Sequence, residues 1–268
     1  MIHANDFDTL PAGWLLARRN RARLVYDAHE LYSGFERNPP RLWAKLSLML
    51  EGLLARRADA VVTVSEPIAQ ELTRRLRLRR PPLLVLNCPP LDSLEVEPRP
   101  DAPVRAIYQA AVGPGRLLED VIEAARVAPE VEVSVRLLGW DGQPLTGVRI
   151  EAPVAPDALV QALAPYDVGL VIDRLETENT RLALPNKLFE YFMAGLAVAV
   201  PRAPAMAELV EAHGVGVVYD DGRLGAALQQ LAADREALDE MRRRARELAI
   251  TRFNAEAQRP NLLRSWGL

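Results

Sequence analysis

LPNKLFEYFMAGLAVAV, residues 184–200, joins a helical pattern to a strand pattern across a single glycine. Pro185 and Asn186 mark a helix start, with Asn186 offering a capping oxygen. Nothing interrupts that helix from Lys187 to Gly195. Lys187, Glu190 and Ala194 share one face, leaving Leu188, Phe189, Phe192 and Met193 for burial. The apolar run 197–200 reads as a strand, and alternation of such elements is the signature of α/β proteins with parallel sheets. The helix presents one cation and one anion in its first turn, where backbone N–H groups are unpaired. That setting suits a ligand carrying both phosphates and hydroxyls. An ordinary capped helix with an i,i+3 surface ion pair has the same pattern.

The alternation extends outward in both directions. Strands are expected near 23–27, 60–64 and 83–87, with helices near 9–20, 40–57 and 66–77. Residues 88–103 (CPPLDSLEVEPRPDAP) hold five prolines and read as a linker. Beyond it, strands are expected near 104–109, 132–138, 167–172, 197–200 and 215–219. Helices are expected near 116–127, 156–164, 186–195, 204–212, 222–233, 235–250 and 254–266. The division that follows is a short first domain over 1–95, a complete doubly wound domain over 96–253, and a helix over 254–268 packing back on the first. No internal repeat or low-complexity segment is present.

The chain has 268 residues, 49% hydrophobic and 26% charged, enough for one or two substantial cores. Cys88 is the single cysteine, so no intrachain disulfide forms, and a reducing compartment fits. There is neither a signal peptide after Met1 nor an apolar run of the roughly 18 residues that suggests a membrane span. A cytoplasmic location is therefore expected, and nothing points to nucleic acid. Residues 1–80 carry 14 basic against 9 acidic side chains, the remainder 19 against 27, which hints at an anionic partner for the first part. Nearly all the basic residues are arginines; only Lys45 and Lys187 are lysines.

A second group of chemistry-bearing residues is DAHE, residues 27–30. In a strand Asp27 and His29 point to one face and Glu30 to the other. At the end of a parallel strand they face the ligand crevice, although a turn histidine bonded to backbone has the same sequence. His3 and Asp6 are expected at a neighbouring strand end, and the four residue types together would suit a metal. Asn179 and Thr180 belong to a polar loop, and His213 falls near a helix end. The apolar, arginine-flanked stretch 41–57 is either a core helix with solvated flanks or a helix resting on an anionic membrane. Residues 72–80 add five arginines.

VYDAHELYS, AVVTVSEPIAQEL, LVLNCPP, IYQAAVGPGRLLEDVIEAA, DVGLVI and LPNKLFEYFMAGLAVAV occur in this order over nearly the whole chain. Together they resemble a family 4 (group 1) glycosyltransferase of the GT-B type, with two facing Rossmann-like domains. The resemblance implies a retaining transfer of a sugar from a nucleotide-diphosphate sugar to a saccharide or lipid-linked acceptor, in cell-surface polysaccharide biosynthesis. It implies no cofactor and no metal. It assigns the ribose hydroxyls to Glu190, since a carboxylate accepts from two neighbouring O–H donors. The diphosphate falls to Lys187 and Arg116, with Gly113 and Gly115 letting backbone approach it. Asn179 and Asn186 fall in the donor-site loops. His29 would lie near the acceptor hydroxyl, with Asp27 steadying its ring.

This sequence departs from the family pattern at several positions. Leu182 stands where many members have a second glutamate, Ala110 where a glycine ends the YQG-like turn, Leu117 where glycine often follows the arginine, and Ala197 where proline is usual. Complete members also have residues before HAND, including a first strand and its glycine-rich loop, so the first domain is expected to be incomplete. The sequence admits a shortened gene product, a chain completed by a partner chain, or a non-catalytic nucleotide-binding relative. A different GT-B enzyme, such as a nucleotide-sugar epimerase, fits the PNKLFEY stretch less well.

Overall fold

The computed structural model describes residues 1–34, 40–99, 103–111 and 118–268. The chain divides into two compact units. The first is Met1–Asn87, Leu175–Leu184 and Ala255–Leu268; the second is Cys88–Arg174 and Pro185–Asn254. The first unit opens with β1 (Ile2–Asn5), α1 (Asp6–Asn20), β2 (Leu24–Ala28), α2 (Arg41–Ala55), β3 (Ala60–Thr63), α3 (Glu66–Leu76) and β4 (Leu83–Leu84). The second begins with β5 (Val104–Ala111), α4 (Leu118–Val127), β6 (Val131–Leu138), β7 (Arg149–Glu151), α5 (Leu159–Leu163) and β8 (Val168–Leu170). The helix α6 (Glu178–Leu182) belongs to the first unit. The second resumes with α7 (Asn186–Met193), β9 (Ala197–Pro201), α8 (Pro204–His213), β10 (Gly216–Tyr219), α9 (Leu224–Ala232) and α10 (Arg235–Thr251). Finally α11 (Ala255–Trp266) closes the first.

In the first unit all four strands are parallel, in the order β1-β2-β3-β4. Parallel strands carry helices on their faces, which is why β2 (LVYDA) is buried along its whole length, Asp27 included. Leu10, Tyr26, Ile68, Leu72 and Leu76 fill the core between sheet and helices. Ser65 starts α3 by accepting the Ile68 N–H at 3.2 Å. The strand expected over 83–87 shortens to two residues, because the Leu86 N–H turns to the Gln258 side chain of α11 at 3.2 Å. Residues 175–184, read from sequence as part of the second domain, are tied into the first unit instead. Ser65 Oγ donates to the Leu182 carbonyl at 2.8 Å, and Arg75 pairs with Glu178.

In the second unit six parallel strands run in the order β10-β9-β8-β5-β6-β7. From β5 the chain builds outward through β6 and β7, then resumes on the other side with β8, β9 and β10. The order therefore reverses between β5 and β8, where open α/β sheets form a ligand crevice at their carboxyl ends. The three-residue strand β7 and the helix α6 have no counterpart in the sequence expectations. Their lengths are too short to show a period.

The decisive stretch folds as a helix and a strand. Leu188, Phe189, Tyr191, Phe192 and Met193 are buried, followed by a fully buried β9. Gly195 joins them at φ +69°, and a Cβ there would stand 2.1 Å from Val96. Both the backbone conformation and that contact require glycine. Arg246 of α10 holds the nearby linker, donating to the Met193, Asp92 and Leu94 carbonyls. Beneath the sheet, fully buried Asp167 meets Arg235 at 2.9 Å and Arg242 at 3.5 Å, and accepts the Arg105 N–H at 2.9 Å.

Candidate functional site

At the carboxyl ends of β5 and β6 the second unit forms a cavity of about 330 Å3. Gln109, Ala110 and Ala111 of β5, Arg136 and Leu138 of β6, and Pro153, Val154 and Leu159 line it, with Asn186, Lys187 and Glu190 from the start of α7. It sits beside the reversal in strand order, so the fold itself supplies the position. The Tyr191 hydroxyl fills the gap where β5 and β8 part, accepting from the Gln109 N–H and donating to the Leu170 carbonyl, both at 3.2 Å. Gly169 makes room for that ring: a Cβ there would lie 2.2 Å from it.

Of the helix face expected to carry polar groups, Lys187 and Glu190 reach the cavity, whereas Ala194 is buried. Gln109 Nε2 donates to Glu190 Oε2 at 2.5 Å, fixing the carboxylate at the rim. Burial holds the Glu190 carboxyl above its usual range, opposed by the charge of Lys187 and the bond from Gln109. Lys187 Nζ stands 5.1 Å from the centre of the Tyr108 ring, a cation–π contact that places the ammonium over an apolar support. Gln109 Oε1 is buried and has no hydrogen-bond partner among the described residues. A buried carbonyl oxygen at a cavity wall is an acceptor for a ligand O–H or N–H.

Asn186 does not cap its helix. Pro185 is the N-cap, without a side-chain bond, and Asn186 is the first helical residue, exposed at the cavity rim. The reason is local: the proline's fixed φ, here −72°, already sets the entry to the helix. Gly113, Gly115 and Arg116 lie outside the described residues, as does Leu117.

The first unit gathers the other expected residues. His3 Nε2 and His29 Nε2 both meet Asp27 Oδ2, at 2.9 and 3.3 Å. Trp266 Nε1 donates to His3 Nδ1 at 3.1 Å, so His3 offers its Nε2 proton to Asp27. Asn87 Nδ2 approaches His29 Nδ1 at 3.5 Å, which assigns the His29 proton to the Asp27 side as well. The hydrogen bond to Asp27 raises the His29 pKa. Burial works to raise that of Asp27, but the bonds from His29 and His3 together hold it below the usual carboxylate range. Asp6 accepts the His29 N–H at 2.9 Å and sits at φ +59°, left-handed backbone at a strand end. Among the described residues, no group of three or more His, Cys, Asp or Glu side chains is placed to hold a metal ion.

Asn179 takes a different place from the donor-site loop expected of it. It is buried in the first unit, its Oδ1 accepting the Leu31 N–H at 2.8 Å and its Nδ2 donating to Glu30. His213 lies at the end of α8 with its ring edge-on to Phe253, a packing role. Sequence reasoning missed Gln109, Tyr191 and Trp266. The first had a signal, a polar residue within the buried middle of a strand; the other two are identified only by the partners that folding brings.

Residues 115–264 match the family described as glycosyl transferase-like, and residues 1–89 match the glycosyl transferase 4-like domain. No curated protein matches the chain. Among solved structures, HepE from Anabaena, in complex with UDP-glucose, is 17% identical with a TM-score of 0.73. That match covers 99% of this chain and 78% of HepE. Sucrose-phosphate synthase from Thermosynechococcus elongatus is 16% identical with a TM-score of 0.78, covering 99% of this chain and 72% of its own. A glycosyltransferase from Rickettsia africae is 13% identical with a TM-score of 0.68, covering 99% and 76%. At such identities the likeness is one of fold.

Proposed function

The chain belongs to the glycosyl transferase-like family and has the two Rossmann-like domains of the GT-B fold, and we propose that it transfers a sugar from a nucleotide-diphosphate sugar to a saccharide or lipid-linked acceptor, with retention at the anomeric carbon. One observation carries this reading: Glu190, held by Gln109, and Lys187 line one cavity at the switch point of the second sheet.

In that cavity Glu190 accepts the two ribose hydroxyls and the Gln109 carbonyl accepts a further donor. Lys187 offsets the negative charge that builds on the diphosphate as the bond to the sugar breaks. Arg116 and the glycines at 113 and 115 join it there on the strength of the sequence pattern. His29, its ring steadied by Asp27, positions the acceptor hydroxyl. No separate general base is required, since the leaving phosphate can take the acceptor proton; the protein supplies position and charge. HepE and sucrose-phosphate synthase lend support through their fold, and HepE through the UDP-glucose in its structure. Calorimetric titration of the chain with a panel of nucleotide-diphosphate sugars tests the reading. At least one should bind, with the free nucleoside diphosphate competing. No heat from any member of the panel would remove it.

A further inference from the structure

The helix α2 is amphipathic in an unusual sense: its apolar stripe faces outward. Leu42, Trp43, Leu46, Met49, Leu50 and Leu53 are all exposed, Leu42 to 70% and Met49 to 66%. At about 100° per residue they occupy an arc of about 120° on the helix. Ser47, Glu51, Leu54 and Ala55 form the opposite, buried face. Scattered apolar side chains on a surface are ordinary, but a continuous stripe along a 15-residue helix marks an interaction surface.

Charge identifies the occupant. The only acid in α2 is Glu51, and it is turned inward to accept the Tyr26 hydroxyl at 2.8 Å. Exposed Lys45 borders the stripe by its helical position, and exposed Arg56 and Arg57 follow directly at the carboxyl end of α2. The end of α3 lies against the end of α2, where Arg56 Nη1 donates to the Leu76 carbonyl at 2.6 Å. That contact adds exposed Arg77, Arg79 and Arg80 to the same end. Two copies packed stripe to stripe would set cations against cations. An anionic bilayer offers acyl chains to the stripe and phosphates to its border.

We propose that α2 lies in the headgroup region of an anionic lipid surface, with its stripe inserted and its basic border on the lipid phosphates. This surface is independent of the nucleotide cavity, which the second unit forms by itself. No helix among the described residues is long and apolar enough to span a membrane, so the contact is peripheral.

The test is co-sedimentation of the full chain with phosphatidylglycerol-rich vesicles and with pure phosphatidylcholine vesicles, at low and high salt. Binding should be confined to the anionic vesicles and weaken with salt. The exposed double change Leu46→Glu and Met49→Glu should lower the bound fraction about tenfold or more while leaving the thermal transition in place. Trp43 emission should shift to the blue on binding, and Trp43→Phe should lose that shift yet still bind. Equal binding to both vesicle types, no binding to either, or a dimer in sedimentation equilibrium that the double change dissociates would overturn the proposal.

Discussion

Glu190 and Glu51 are both carboxyls held above their ordinary range by burial, with opposite consequences. Glu190 lines a cavity, and only its ionised form accepts from two hydroxyls at once. Nucleotide binding should therefore weaken as pH falls through its raised pKa, and the Glu190→Gln variant should lose that dependence. Gln109→Leu, which frees the carboxylate from its 2.5 Å bond, should weaken binding by about 1–2 kcal/mol, or roughly ten-fold, with little change in stability. Glu51 is sealed in the first unit, and its carboxyl is pushed up to about 7 although Tyr26 and the charge of Arg75 favour ionisation. Between its unfolded value and about 7 the folded state holds a proton that the unfolded state has released. Stability should thus fall as pH rises through that window, by roughly 3 kcal/mol in all. Denaturant titrations at about pH 5 and about pH 8 should show the slope in the native chain and not in Glu51→Gln.

Among the elements, β8 and α7 meet most closely where Gly169 lies under the Tyr191 ring. Gly169→Ala should cost about 1–3 kcal/mol by overpacking, and should also disturb the Gln109 N–H that Tyr191 accepts. Asp167→Ala would leave buried Arg242 and Arg235 without their shared carboxylate. A loss of about 3–5 kcal/mol in the urea midpoint free energy is expected. The helix α7, its turn and β9 were legible in the sequence because burial imposes a period on each and Gly195 punctuates them. That Lys187 and Glu190 share one face of α7 and line one cavity was legible from spacing alone. Asn179 was not: its partners Glu30 and Leu31 lie almost 150 positions away, and a polar loop residue looks the same whether it faces ligand or core. Residues 88–99 of the proline-rich stretch carry neither helix nor strand, and nothing local foretold that Arg246 would hold Asp92 and Leu94 there. The outward stripe of α2 was ambiguous for a related reason, since an apolar arc predicts burial without saying in what.

On the scale of the whole chain, each unit has its own sheet and core, and both are discontinuous in sequence. The last helix, α11, belongs to the first: Asn261 donates to the Leu84 carbonyl at 3.0 Å, Arg23 to Ser265 at 2.9 Å, and Trp266 to His3. Removing residues 255–268 should lower amide-exchange protection in β1–β4 while leaving β5–β10 protected, and the loss should spread to the Asp27–His29 pair. The cavity lined by Lys187 and Glu190 should survive that truncation, because its described lining comes from the second unit. The proposed transfer requires that this cavity grip a nucleotide-linked sugar through α7. The most direct measurement is the dissociation constant of the best nucleotide-diphosphate sugar for the native chain and for Glu190→Ala, by calorimetry at neutral pH. Loss of two charge-assisted bonds should weaken binding by about 100-fold or more, with the thermal transition retained. Equal constants for the two proteins would contradict the account.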